Sequence, residues 1–281
     1  MAEIMSEAPL SRGMDAYDEL LDLLKDIDLT SQVRSLLGWD QEVLMPPNAA
    51  RLRGEQMAWI SRELHDRKTS PRIGELLDKL ESSSDLNEVE EANVRLAREG
   101  YEKATKLPTE FVSEMAKHNS KAVISWTEAR ERDDFSIFRD DLAKSIEFAR
   151  KKADYLGYEN LRYDALLDIY ESGLTVARLD PLFDGLRNEV APLIRSVSER
   201  GEGPDMSWIT DNVWSREGQE RLSQKVSEAI GFDFKSGRRD ASTHPFCGGP
   251  NPDDVRWTTR YNDEDPFGSL YGSMHETGHG T

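Results

Sequence analysis

The chain has 281 residues, 37% of them hydrophobic and 32% charged, enough for one large or two modest domains with a substantial core. Thirty-six Lys and Arg against 54 Asp and Glu leave a net charge of −18, a surface that repels a nucleic-acid backbone. The single cysteine, Cys247, has no internal partner, the N-terminal MAEIMSEAPLSRGMD is acidic where a signal peptide is basic, and no apolar run approaches the roughly 20 residues that span a bilayer. These features predict a cytoplasmic protein that engages neither nucleic acid nor membrane.

In chain order, Tyr17, Leu20, Leu21, Leu24 and Ile27 recur at helical spacing. Asn48 is expected to cap a second helix carrying Leu52, Met57, Ile60 and Leu64. Leu86, Val89, Leu96 and Gly100 mark the face of a third. Pro108 and Thr109 open a longer helix with Phe111, Met115, His118, Ala122, Trp126 and Ala129 in register, and Phe138, Leu142, Ile146, Ala149 and Ala153 repeat the pattern. Thr175 then precedes a helix with Leu179, Leu182, Phe183, Leu186, Val190 and Leu193. Within it Pro181 comes early enough to be tolerated, whereas Pro192 predicts a kink or break. Trp39, Trp59 and Trp126 read as core aromatics, and His65 and His118 as surface or packing residues.

The pattern changes after Gly231. Phe232–Phe234 and Val255–Tyr261 alternate at period two, and a turn-rich loop, His244–Pro252, lies between them. They predict a two- or three-stranded β-ribbon. Asp265-Pro266 then restarts a helix, as N-cap and first residue. The expected organisation is one mainly α domain, with residues 1–230 as a helical scaffold and 231–281 as β-ribbon plus final helix.

That final helix carries His275-Glu276-Thr277-Gly278-His279. Residues four apart share a helix face, so both imidazoles can reach one metal ion, with Glu276 placed to take a proton from a metal-activated water. Asp254, Arg256 and Thr258 alternate along the last predicted strand and share one face, which either helps line the cleft or is the solvated side of the ribbon. Arg238, Arg239, Arg256 and Arg260 are nearby candidates for holding a carboxylate, with nothing to choose among them. Cys247 lacks an oriented base and reads as a small packed thiol.

His244-Pro245-Phe246, Asp254-Val255-Arg256-Trp257-Thr258 and His275-Glu276-Thr277-Gly278-His279 together resemble the His-Pro-Phe, Asp-x-Arg-x-Thr and His-Glu-x-x-His signatures of the carboxypeptidase Taq family of metallocarboxypeptidases. Trp39–Pro46 and Tyr163–Leu167 are similar to earlier segments of that family. The resemblance implies a zincin-like helical scaffold and a zinc or cobalt ion held by His275 and His279, with Glu276 as catalytic base. It also implies His244 near the metal or substrate, peptide substrates with a free C-terminus, and a homodimer. It further implies a third ligand, a glutamate downstream of the second histidine, whereas the sequence stops at Thr281. On that basis the chain is expected to be the N-terminal part of a longer enzyme, weak in zinc binding, inactive alone, and exposed around Tyr271 and Met274. A thimet-type oligopeptidase and a non-catalytic helical fragment are the competing expectations.

Overall fold

The computed structural model describes residues 12–201 and 203–281, so most of the stretch weighed against a signal peptide falls outside the described residues. The fold is mainly α, as expected, with two compact units: residues up to 38 with 46–124, and residues 39–45 with 125–281. The division expected at residue 230 is a different cut, since 231–281 stays inside the second unit.

In the first unit, α1 (Arg12–Val43, its end from Trp39 belonging to the second unit) packs with α3 (Pro71–Glu81) and α4 (Glu88–Thr105). Their core is Ala16, Tyr17, Leu20, Ile73, Leu76, Leu77, Leu80 and Val94, with Leu21, Leu24 and Ile27 at its margin. Each buried leucine contributes about 1.5–3 kcal/mol over its exposed state. The α1 stripe is therefore the one expected.

The face of α4 is not. Val89 and Leu96 stand exposed, and Val94, Ala97 and Tyr101 turn inward instead. The cause is a close approach to α3: a Cβ on Gly74 would stand 2.8 Å from Tyr101 Oη, so the tyrosine occupies room that glycine leaves. In α2 (Ala50–Lys68), Ile60 and Leu64 are buried but Leu52 is exposed. Asn48 does not cap this helix; Pro46 and Pro47 start a short 3₁₀ turn over Pro47–Ala49 first, and α2 begins without a side-chain cap. Trp59, expected in the core, is 55% exposed.

Helix α5 (Thr109–Glu131) buries Phe111, Ala122 and Ala129 as its stripe predicts. In the second unit, α6 (Ser136–Leu156) buries Phe148 and Ala153 while Ile146 faces out, and the short α7 (Arg162–Leu167) follows. Helix α8 (Val176–Glu199) runs unbroken through both prolines, contrary to the break expected at Pro192. It has no buried residue, so water can satisfy the carbonyl that Pro192 leaves without an N–H. The short α9 (Ser207–Thr210) precedes α10 (Arg216–Ile230), which ends at Gly231 in a left-handed conformation, φ 113°.

A three-stranded sheet follows, β1 (Gly237–Ala241), β2 (Cys247–Gly248) and β3 (Val255–Thr259), in the order β1-β3-β2. The expected ribbon is in fact a mixed sheet: β1 runs parallel to β3, with Arg239 opposite Trp257, and β2 runs antiparallel to it. The connection over residues 242–254 is long enough for the crossover that parallel pairing requires. Phe232–Phe234 is not a strand. Phe232 is buried edge-on against Trp257 and Phe234, and its ring fills the place a side chain on Gly237 would need. Strand β3 stops at Thr259, two residues short of the predicted end at Tyr261. No helix among the described residues is long and apolar enough to cross a membrane.

Candidate active site

The last helix, α11 (Pro266–Gly280), begins as its sequence predicts. The Asp265 carboxylate accepts hydrogen bonds from the N–H groups of Phe267 (3.0 Å) and Gly268 (3.2 Å), and Pro266 occupies the first position. Small residues let α11 lie close to its neighbours. Towards β3, Thr259 Oγ1 donates to the Ser269 carbonyl at 3.3 Å, and a Cβ on Gly272 would stand 3.3 Å from the Thr259 hydroxyl, a tight contact.

Towards α10, three buried polar pairs form a ladder. Ser269 Oγ donates to Gln219 Oε1 at 2.6 Å, Ser273 Oγ to Ser223 Oγ at 2.9 Å, and Thr277 Oγ1 pairs with Ser227 Oγ at 2.8 Å. All six residues are at most 4% exposed.

The opposite side of α11 carries the histidines. Their Nε2 atoms converge to 3.1 Å, and the rings meet edge-on with centroids 4.7 Å apart. Two zinc–nitrogen bonds of about 2.0–2.1 Å at the tetrahedral angle separate nitrogens by about 3.3 Å, so the pair suits two positions of one metal's coordination sphere. Among the described residues no set of three His, Cys, Asp or Glu side chains gathers to hold a metal, so this chain's described part offers two ligands. Glu276, only 7% exposed, lies beside them.

Together the three line an open cavity of about 700 Å³, flanked also by Pro245, Phe246, Cys247, Gly248, Gly249 and Val255. This loop is fixed from below by Thr258, which is fully buried. Its hydroxyl accepts from the Phe246 N–H (3.0 Å) and pairs with Ser242 Oγ (2.6 Å), while its own N–H donates to the Phe246 carbonyl (2.8 Å). Gly249, at φ 142°, is pressed against the Asp254–Val255 backbone and leaves no space for a Cβ. Burial, and then the Glu276 charge, push the Cys247 thiol up, which makes it a poor nucleophile.

The remaining sequence candidates do not line this cavity. Asp254 holds Arg256 through two bonds of 2.8 and 3.0 Å, and Asp240 holds Arg238 in the same way. Both guanidinium groups cover the buried ring of Trp39, at 4.2 Å and 4.9 Å from its centroid. Arg256 and Thr258 share a face of β3, whereas Asp254 precedes the strand, which starts at Val255. Val255, on the other face, reaches the cavity. Arg239 donates to the Glu220 carbonyl at 2.7 Å. Arg260 borders a different open cleft of about 740 Å³ with Glu42, Arg216 and Tyr261. His244 is exposed; burial raises the Glu42 carboxyl pKa, and the charge of His244 pulls it back. Tyr271 and Met274 are exposed, as expected.

Two features were missed in the sequence. The ladder is spelled Gln219-x-x-x-Ser223-x-x-x-Ser227 and Ser269-x-x-x-Ser273-x-x-x-Thr277, a four-residue period of small polar residues rather than apolar ones. The Pro245–Gly249 wall shows beforehand only as a turn-rich loop.

The chain is 39% identical over 262 residues to Carboxypeptidase 1 of Bacillus subtilis, covering 93% of this chain and 52% of that protein. It is 36% identical over 277 residues to Thermostable carboxypeptidase 1 of Thermus thermophilus, covering 94% and 54%. A solved structure described as BsuCP superposes with a TM-score of 0.91 at 38% identity, over 95% of this chain and 54% of that one. The chain thus spans about half the length of the curated relatives it matches. The model of the carboxypeptidase Taq (M32) metallopeptidases matches residues 19–281, and the chain belongs to that family.

Proposed function

We propose that the protein is a metallocarboxypeptidase that releases single amino acids from peptide C-termini, with His275 and His279 as two metal ligands and Glu276 as general base. The observation that carries this reading is the 3.1 Å convergence of the two Nε2 atoms beside a buried carboxylate in one cavity. A zinc or cobalt ion held there supplies Lewis acidity towards a carbonyl oxygen and towards water. Glu276 takes the proton of the attacking water and later hands it to the leaving amine nitrogen. The Pro245–Gly249 wall narrows the approach, and Thr258 holds that wall in place. We assign Asp254 and Arg256 to bracing the sheet against Trp39, and His244 to the rim with Glu42.

The substrates proposed are peptides with a free C-terminal carboxylate, in keeping with the names of the relatives. A cytoplasmic homodimer completes the proposal. The His-Pro-Phe and Asp-x-Arg-x-Thr matches favour this over a thimet-type oligopeptidase. The decisive assay offers the zinc-loaded protein one peptide as its free acid and as its C-terminal amide. Stepwise release from the free acid alone is expected, and internal cleavage of both would overturn the assignment.

A further inference from the structure

The buried hydroxyl pair between Thr277 and Ser227 is the feature the proposed mechanism does not use. On an α-helix each residue turns by about 100°, so His275 and His279 stand about 40° apart and Thr277 points about 180° from their midpoint. Ser273 stands about 140° and Ser269 about 100° from the same midpoint. The ladder thus winds from the flank of α11 to the side opposite the imidazoles, and its three rungs join residues 50 apart in sequence, 219 with 269, 223 with 273 and 227 with 277.

In the last rung Ser227 Oγ lies 2.8 Å from Thr277 Oγ1, either hydroxyl serving as donor, and 2.9 Å from the Ser223 carbonyl. Thr277 is fully buried, where a hydrogen bond is directional and its loss leaves a lone pair unsatisfied. An imidazole nitrogen lies about 6 Å from the helix axis, so turning α11 by about 20° displaces it by about 2 Å, as much as a whole zinc–nitrogen bond. Apolar packing alone tolerates such a slip between small residues; three hydroxyl and amide pairs do not.

We propose that Thr277 is a positioning residue: through its hydrogen bond with Ser227 it locks the rotation of α11 against α10, and so keeps the His275–His279 pair facing the Pro245–Gly249 wall of the cavity. The proposal rests on the reading of these histidines as metal ligands, and it is tested in the 281-residue chain with and without Co²⁺.

Thr277→Val removes the hydroxyl at nearly constant volume, and Thr277→Ser restores it. Two readouts are taken: without metal, the nuclear Overhauser contacts of α11 with its neighbours, Gly272 to Pro245 and Gly280 to Val255, and, with Co²⁺, the paramagnetic shifts that the bound ion gives the Phe246 and Val255 protons. The valine variant is expected to lose these contacts and to change the paramagnetic shifts about twofold, as a displacement of about 2 Å implies. The serine variant keeps both. A valine variant with wild-type contacts and wild-type paramagnetic shifts overturns the proposal. If Thr277→Val does not fold, Ser227→Ala removes the same bond from the α10 side and is judged by the same two outcomes. Cobalt uptake that is unchanged after His275→Ala overturns the metal reading instead, and the metal-free contacts of α11 still decide the role of Thr277.

Discussion

The α1–α3–α4 core and the α10–sheet–α11 region are held together by different physics. The first buries Leu20, Leu76, Leu77 and Leu80 almost completely and uses no buried polar pair among its core residues. The second buries Ser223, Ser227, Ser269, Ser273 and Thr277 and joins them by hydrogen bonds. Apolar burial is strong and non-directional, and it fixes that helices meet. Hydrogen bonds add less net energy, about 0.5–1.5 kcal/mol each, but fix how the helices are turned. The region with the proposed metal ligands has the directional interior.

That contrast predicts mutations that separate stability from activity. The largest effect belongs to Glu276→Gln in the metal-loaded enzyme. Turnover should fall by about 10² to 10⁴ with metal content and melting temperature nearly unchanged. A variant close to wild-type kcat would remove Glu276 from the mechanism.

Leu77→Ala should do the reverse. It empties a fully buried site and should cost about 2–5 kcal/mol in urea unfolding of the first unit, while the imidazole ring contact persists. A change below 1 kcal/mol would mean that the apolar core is looser than its burial indicates.

Gly249→Ala lies between the two. A side chain at φ 142° pressing on the Asp254–Val255 backbone should cost about 1–3 kcal/mol and reshape the cavity wall, read as a lower melting temperature together with a raised KM. An unchanged KM would separate the wall from substrate approach.

The smallest effect sharpens the electrostatics. A thiol whose pKa is raised carries less thiolate at any pH below that value. Cys247 should therefore react with iodoacetamide at pH 8 more slowly than free cysteine, its rate still climbing past the ordinary thiol pKa of about 8.5. Glu276→Gln should speed the reaction by removing the neighbouring charge. Alkylation as fast as free cysteine would show the thiol to be solvated.

The same contrast explains what could be read from the sequence. Leu20, Leu24 and Ile27 announce their face because burial leaves a hydrophobic period, and His275 and His279 announce theirs because metal ligation needs one helix face. The phase of α4 was hidden because Tyr101 follows a vacancy at Gly74, in another helix. The strand assignment at Phe232–Phe234 failed because Asp233 opens a turn there, its carboxylate accepting from the Lys235 N–H and its carbonyl from the Ser236 N–H. Serines at positions 223, 227, 269 and 273 leave no hydrophobic period to mark their side; only tertiary pairing reveals them as interior. Asp254 precedes the strand on which the sequence places it, and its pairing with Arg256 over Trp39 joins residues far apart in the chain.

The 50-residue span of each rung also bears on the order of folding. Closing a flexible loop of that length carries an entropy cost of about 3.5 kcal/mol beyond a constant, before any rung forms. Parallel pairing of β1 with β3 adds a second non-local step between them. The last helix should therefore dock late in folding and detach early in unfolding, ahead of the leucine core. Amide hydrogen exchange along Ser269–Thr277 faster than along Ile73–Leu80 would record this. Mild denaturant would then abolish the proposed metal capture while most of the helical signal survives, making cobalt binding a more sensitive gauge of damage to this chain than its circular dichroism.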